Sequence, residues 1–452
     1  MKPIINAPMQ REITYIPILD DYSGNEISVT YVMWIRLGAH ISLDGDHLLH
    51  PCLCVGSILR TEELIQSGIA KYRDSLIPKY VHEDLITGKC KKIILDYSSE
   101  GHYDIEWDYI STLFGVEKSK IIWVTSIWKP EFLNPRNEVT VIFDNFWERF
   151  LHGQIIRTLP NSLESILDST FGQSSDNSYI IRGARQQIKD IKDLKIRPYH
   201  GLSYNRQPNR HRLYLISKLK TEGLIDSTAY SWGGLIGYDR PYWERSEFVE
   251  GHLELAKENR YLNQFDDESF RETVNSKRKE FSGEDLSINK AHNVNFDHIK
   301  DCYFQIISET MVINARQLID GPQITPFLSE KSYKPFISCM PFVMWGQRGT
   351  VKALREQNYN CYDEWIDHSY DEYQDDGKRL EILMIEIKRL YAIPPLQWSL
   401  MLKEMIPIIE FNIEQLNKNS ITSRLNTHFG EFNYNNDGRQ SFILNPDVLN
   451  QC

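Results

Sequence analysis

No stretch of this 452-residue chain approaches the ~18 uninterrupted apolar residues of a membrane-spanning helix, so no membrane span is expected. The N-terminal MKPIINAPMQREITYIPILDDYSG lacks an apolar core and a small-residue cleavage pattern, which speaks against a secretory leader. Cysteine is scarce, at seven residues, and scattered. Cys52 and Cys54 form a C-x-C among apolar neighbours, with no second pair to complete a zinc spacing. Buried reduced thiols and a cytoplasmic compartment are the expectation. Also missing are G-x-x-x-x-G-K-[ST], H-E-x-x-H, a strand-linked G-x-G-x-x-G and a G-x-S-x-G elbow. P-loop hydrolysis, zinc proteolysis and nicotinamide-dependent hydride transfer thereby lose their usual support. Basic residues are outnumbered, 51 Lys and Arg against 62 Asp and Glu, a formal net charge of −11. That excludes a uniformly basic nucleic-acid coat but leaves room for a local basic site.

What is present describes a globular protein, 41% hydrophobic and 25% charged, long enough for two or three domains. In the first half, ITYIPIL, VTYVMWIRL, KKIILDY, KIIWVTS and TVIFDN read as strands rich in β-branched and aromatic residues. TEELIQSGIAKYRDSLIP between them has helical spacing. Alternation of this kind predicts α/β architecture with a parallel sheet covered by helices. A charged helix, ARQQIKDIKDLKIRP, precedes a second series: the strand YHGLSYN, the helix RHRLYLISKLKTEGLI and the strand TAYSW. The division expected is 1–195 as a first α/β domain, 196–400 as a second α/β domain, and 401–452 as a C-terminal helix and tail. The charged stretch 240–297 reads as a helical or mobile insertion outside the core. WSLMLKEMIPIIEFNIEQLNKN reads as a long helix.

Two segments carry the strongest signals. In YHGLSYNRQPNRHRLYL, Asn205, Arg206, Arg210, His211 and Arg212 crowd a strand-to-helix junction. There the positive helix end and three guanidinium groups suit a diphosphate or another anion; a solvated helix start is the plainer alternative. In SET…LSEKSYKPF, Glu309 ends a strand, and Glu330, Lys331 and Lys334 open a helix that Pro335 is expected to bend. A carboxylate there would hold sugar hydroxyls while the lysines neutralise phosphate, or the group is an ordinary salt-bridged helix start. PFVMWGQRGTVKALREQNY predicts a buried strand, a turn at Gly346 and Gly349, and a helix from Thr350, while DEWIDHSYDEY reads as acidic, solvated surface. In the first half, IILDYSSEGHYD sets Asp96, Glu100, His102 and Asp104 after a strand. One of Asp96, Glu100 or His102 could serve as general base on an acceptor hydroxyl, or cap the next helix. Thr125 and Ser126 close KIIWVTS in the same way. The Asp-x-Asp of LDGDH, Asp44 and Asp46, could bind a metal with phosphates but reads as a turn, and no metal is expected.

The segments YNRQPNRHRLYL, SET, LSEKSYKPF, PF, GTVKALR and DHSYDE, in this order over about residues 196–380, resemble phage- and virus-encoded glycosyltransferase-like proteins. The SEK portion is also similar to the donor segment of fucosyltransferases with the GT-B fold. The resemblance implies two Rossmann-like domains facing a cleft, a nucleotide-sugar donor held mainly by the C-terminal one, and transfer without a metal or other cofactor. Carried over by position, Asn205, Arg206, Arg210 and Arg212 would face the donor diphosphate. Glu309, Glu330, Lys331 and Lys334 would contact ribose, sugar or phosphates. Ser329, Phe336 and His368 depart from the Thr, Ile and Glu usual in that pattern, and His368 puts the role of its position in doubt. The acceptor open to such an enzyme includes a hydroxymethylated pyrimidine in double-stranded phage DNA, reached through stretches such as LKIRPYHGLSYNRQPNRHR. A surface glycan, a small molecule, or a non-catalytic nucleotide- or glycan-binding module are the alternatives.

Overall fold

The computed structural model describes residues 178–205, 210–233, 294–312 and 325–418, together with 13–19, 29–35, 41–42, 48–49, 87, 90–97, 107–108, 111, 117–133, 138–143, 145, 267–275, 432–434 and 440–442. The chain divides into two units, 1–146 with 420–452, and 147–419. The division falls upstream of the boundary read near 195. Both units are α/β or strand-built around a largely parallel sheet.

In the first unit all five expected strands form: β1 (Ile13–Leu19), β2 (Val29–Ile35), β3 (Cys90–Tyr97), β4 (Ile121–Thr125) and β5 (Thr140–Phe143). They lie side by side in chain order. β2 to β5 are parallel, but β1 runs antiparallel to β2, pairing Ile13 with Ile35 and Leu19 with Val29. The segment joining them is too short for a helical crossover, so the chain turns back on itself. Ile121 and Trp123 on β4 are buried, and Trp123 packs on Trp107 at 5.4 Å. The helical stretch TEELIQSGIAKYRDSLIP lies outside the described residues.

The second unit carries a four-stranded, wholly parallel sheet of β6 (Tyr199–Asn205), β7 (Thr228–Trp232), β8 (Cys302–Ser308) and β9 (Phe342–Trp345). Every residue of the central strand β8 is buried, and so is every residue of β9, an edge strand of this sheet, as a parallel sheet covered on both faces demands. The spatial order is β9-β8-β6-β7. From β6 the chain crosses outward to β7, and from β8 outward to β9 in the opposite direction. The sheet therefore has a topological switch point between β6 and β8.

Helix α1 (Ser178–Lys192) precedes the sheet, and α2 (Arg210–Thr221) connects β6 to β7 before stopping at Gly223, whose φ of +70° glycine adopts without penalty. Within the charged stretch 240–297 the described part includes α3 (Asp267–Asn275). It is helical as expected, but it is not a solvated excursion: Phe270 is fully buried and stacks on Tyr214 of α2 at 6.0 Å. One aromatic at the right position outweighs a polar average, because a single buried ring removes a large apolar area from water. Then follow α4 (Glu330–Ile337), α5 (Thr350–Glu356) and α6 (Asp376–Tyr391). α4 runs through Pro335 to Ile337 as one continuous helix. The long C-terminal helix is two, α7 (Pro395–Glu404) and α8 (Ile406–Lys418), broken at Met405. Pro407 has no N–H to give and crowds the carbonyl four residues back, so the ladder restarts. The cysteines described in this unit, Cys302, Cys339 and Cys361, are buried and unoxidised, and burial pushes their thiols up, Cys339 to about 12.

Phe270→Ala tests whether the inserted helix belongs to the core. Removing a fully buried ring is expected to lower stability by about 3–5 kcal/mol, read as a shift in the urea unfolding midpoint; a surface excursion would lose almost nothing.

Candidate functional site

Open α/β sheets bind ligands outside the carboxyl ends of their strands at a switch point. In the second unit that place is where β6 ends at Asn205 and β8 ends at Ser308 and Glu309. The four predicted residues of the SET and SEK segments, Glu309, Glu330, Lys331 and Lys334, meet there.

Glu309 is fully buried, directly after β8. Its carboxylate accepts from the Thr310 backbone (2.6 Å), the Ser329 backbone (3.2 Å), the Ser329 hydroxyl (2.6 Å) and the Ser332 hydroxyl (2.6 Å). Ser329 is the N-cap of α4, and its oxygen also accepts from the Lys331 backbone at 3.2 Å. A small hydroxyl residue with extended backbone is what a helix start requires, and a Ser where the resembled pattern has Thr does this equally well. Lys331 directs its ammonium at Glu330 Oε1 (2.6 Å), Thr310 Oγ1 (3.0 Å) and Ser329 Oγ (3.4 Å). The Glu330 carboxyl is buried, which works to raise its pKa, but Lys331 and Lys334 outweigh this and hold it below the usual range. Burial lowers the Lys334 ammonium to about 8, against the pull of Glu330.

From the other side, α2 brings His211 and Arg212, both buried. His211 lies edge-on to Trp345 at 6.3 Å and bonds the Glu309 backbone. Burial, with Arg212 and Lys331 adding repulsion, holds its pKa well below the usual value, so the imidazole is neutral. Arg210 opens α2. Asn205 is buried at the end of β6, its Nδ2 donating to Ser203 Oγ at 2.9 Å. Arg206 lies outside the described residues, as do Glu100, His102, Asp104, Asp44 and Asp46. Asp96 belongs to β3 itself, paired with Trp34 and Val124, and not to the loop after it; it is in the first unit. Thr125 and Ser126, closing β4, are buried.

Residues that pattern reading passed over hold the edge together. Arg379 of α6 is fully buried and donates to the backbone carbonyls of Val312 (2.8 Å) and Gly346 (3.2 Å), so one guanidinium joins the segments that follow β8 and β9. Only its place in a helix of ordinary charge pattern was visible, so the sequence held no signal for this role. Gly349, at φ +80°, makes the turn before α5.

The DHSYDE segment is not the solvated surface its acids suggested, since His368, Tyr370 and Asp371 are buried. The Met344 backbone donates to the Tyr370 hydroxyl (2.9 Å), which shares a 2.7 Å hydrogen bond with His368 Nδ1, and His368 Nε2 lies 2.8 Å from the Cys361 carbonyl. Burial takes His368 to about 4. The segment braces β9 and contributes no group to the site. Asp371 accepts from the Lys352 backbone at 2.9 Å in the first turn of α5. A cavity of about 550 Å³ beside this segment has its cations already engaged, Arg355 with Asp363 and Arg389 with Glu386. Among the described residues no group of three His, Cys, Asp or Glu side chains is placed to hold a metal. Compared with family models, curated proteins and solved structures, the chain matches none.

Burial raises Asp371 to about 6, against the two backbone donors of α5. The folded chain thus keeps a proton that the unfolded chain releases near 3.8, and stability falls as pH rises from 4 to 6, by up to about 3 kcal/mol. Asp371→Asn keeps an acceptor for α5 and is expected to flatten that slope in urea titrations at pH 4 to 7. An unchanged slope would show that Asp371 does not titrate there.

Proposed function

We propose that the second unit is the donor half of a metal-independent glycosyltransferase, part of a GT-B-like pair of Rossmann-like domains. What carries the reading is the grouping of Lys331, Lys334 and Arg212 with the buried carboxylates of Glu309 and Glu330 at the switch point of a doubly wound parallel sheet. The motif resemblance adds the class of ligand, a nucleoside diphosphate sugar.

The chemistry is consistent with those groups. As the glycosidic bond to the diphosphate breaks, negative charge grows on the leaving oxygens. Cations already held in place stabilise it without reorganising, which is the work a metal would otherwise do. Lys331 is held by three oxygens and so is oriented before a ligand arrives. Glu309 meets four protein donors, and its part is to hold α4 against β8, not to touch the sugar. Glu330 is the carboxylate better disposed to hydroxyls. Proton removal from the acceptor would fall to a carboxylate or imidazole, for which Glu100 and His102 are the remaining sequence candidates. A hydroxymethylated pyrimidine in DNA is the first acceptor to try, with surface glycans and small molecules next.

Incubation with UDP-, GDP- and ADP-sugars, with and without hydroxymethylated DNA, should release free nucleoside diphosphate from one of them. Lys331→Ala and Arg212→Ala are each expected to weaken donor binding roughly tenfold or more, the worth of a charge-assisted hydrogen bond. Lys334 sheds its proton near pH 8, so donor affinity should fall as pH rises through that value. Binding without turnover would make the protein a nucleotide-binding module, and neither binding nor turnover would end the transferase reading.

A further inference from the structure

Several buried polar atoms in the second unit have no hydrogen-bond partner among the described residues; at the switch point they include Asn205 Oδ1, Ser308 Oγ and His211 Nε2, with the indole N–H of Trp232 a donor at the outer end of the same row. Asn205, Ser308 and His211 are more than nine-tenths buried, at 0%, 2% and 7% exposure. Sheet register puts the first two together. Asn205 is opposite Trp232, and Ser308 is opposite Trp345. The pairing of β8 with β6 ends at Gln305 and Leu202, and extending that offset three residues past the last paired position brings Ser308 level with Asn205. The four form one row across the carboxyl edge, and neighbours in a parallel row share a face of the sheet. His211 reaches this row from the first turn of α2, touching Trp345, the partner of Ser308, and bonding the backbone of Glu309, the next residue.

The open atoms have a definite character. Asn205 spends its Nδ2 on Ser203 Oγ, so its free atom is a carbonyl oxygen. His211 spends its ring N–H on the Glu309 carbonyl, so its free atom is a lone pair. Ser308 adds a hydroxyl that gives or accepts. Two bare acceptors offer nothing to an ionised phosphate, which has no proton to donate. A metal ion or an ammonium would suit the acceptors but not the neighbouring Arg212 and Lys331, whose charges reach His211. A neutral group with O–H donors satisfies all three atoms. Leaving each unpaired costs about 1–3 kcal/mol, and native chains keep such groups where a ligand or water completes them.

We propose that Asn205, Ser308 and His211 form a hydroxyl-reading subsite next to the cationic cluster, taking sugar or ribose hydroxyls of the ligand and not its phosphates. This reassigns Asn205, which the motif resemblance had set against the diphosphate, and it rests on the donor reading above. The subsite and the cations then divide a nucleotide sugar between them, hydroxyls to the neutral acceptors and phosphates to Lys331, Lys334 and Arg212.

Ser308→Ala in the full chain tests it, because it deletes one hydroxyl and leaves the backbone alone. Thermal unfolding should be no lower than in the wild type, since a buried group without a partner is lost. Calorimetric affinity for UDP-, GDP- and ADP-sugars should fall about fivefold or more for the one that binds, while affinity for pyrophosphate stays within twofold. Asn205→Asp keeps the acceptor oxygen and should retain sugar-nucleotide binding better than Asn205→Leu. Sugar-nucleotide affinity unchanged in both Ser308→Ala and Asn205→Leu would mean that water alone fills the subsite, and would overturn this proposal with the donor reading intact. An equal loss for pyrophosphate would overturn it in favour of a phosphate contact. A wild type that binds none of the probes would overturn both.

Discussion

A carboxylate buried in a protein interior must find its solvation in the protein, and Glu309 finds it at the start of α4. Two hydroxyls and two backbone amides close on its two oxygens. Each of those donors belongs to a segment that must be placed for the site to exist. Thr310 begins the path out of β8, Ser329 caps α4, and Ser332 lies on the face of α4 that meets Met344. Losing the carboxylate would leave these donors unpaired, so the helix start and the strand end are fixed to one another by a mutual need for hydrogen bonds. Lys331 repeats the link through Thr310, and Arg379 repeats it on the far side by joining Val312 to Gly346. The carboxyl edge of the sheet is held by polar groups, while its interior is held by apolar ones.

That division explains what could be read from residues alone. Strands such as YHGLSYN, TAYSW and CYFQIIS announce themselves because β-branched and aromatic side chains packed on both faces leave a local signature. The N-cap at Ser329 and the turn at Gly349 are local as well. Phe270 buried under a charged stretch, the break at Met405 and the burial of His368 depend on what lies across from them in space. His368 in particular sits among acids in the chain yet is solvated by Tyr370 and the Cys361 carbonyl. Composition averages hid it.

The same distinction applies within the candidate site. The motif resemblance makes Glu309, Glu330, Lys331 and Lys334 alike ligand contacts, and the structure separates their tasks. Glu309 is consumed by the fold. Glu330, lowered by two lysines, is an anion that keeps Lys331 oriented. A charge run at a helix start gives the residue types and leaves this partition open, since only distances say which carboxylate already has all its partners.

The electrostatics of the edge follow from which groups burial neutralises. His211 lies among Arg212 and Lys331, and burial with those two charges makes it neutral. Were it charged, three cations would share one water-poor recess, and repulsion at a few ångströms there is much larger than in water. Neutral, it becomes an acceptor, and the edge acquires two kinds of group side by side: ammonium and guanidinium charges, and uncharged acceptors. The chain's formal −11 is silent about this arrangement, because it averages over faces that never see a ligand. On the proposed reading, a partly anionic, partly hydroxylated molecule is what such an edge would discriminate. A purely anionic ligand would leave the acceptors unpaired, and a purely neutral one would leave the lysines to water.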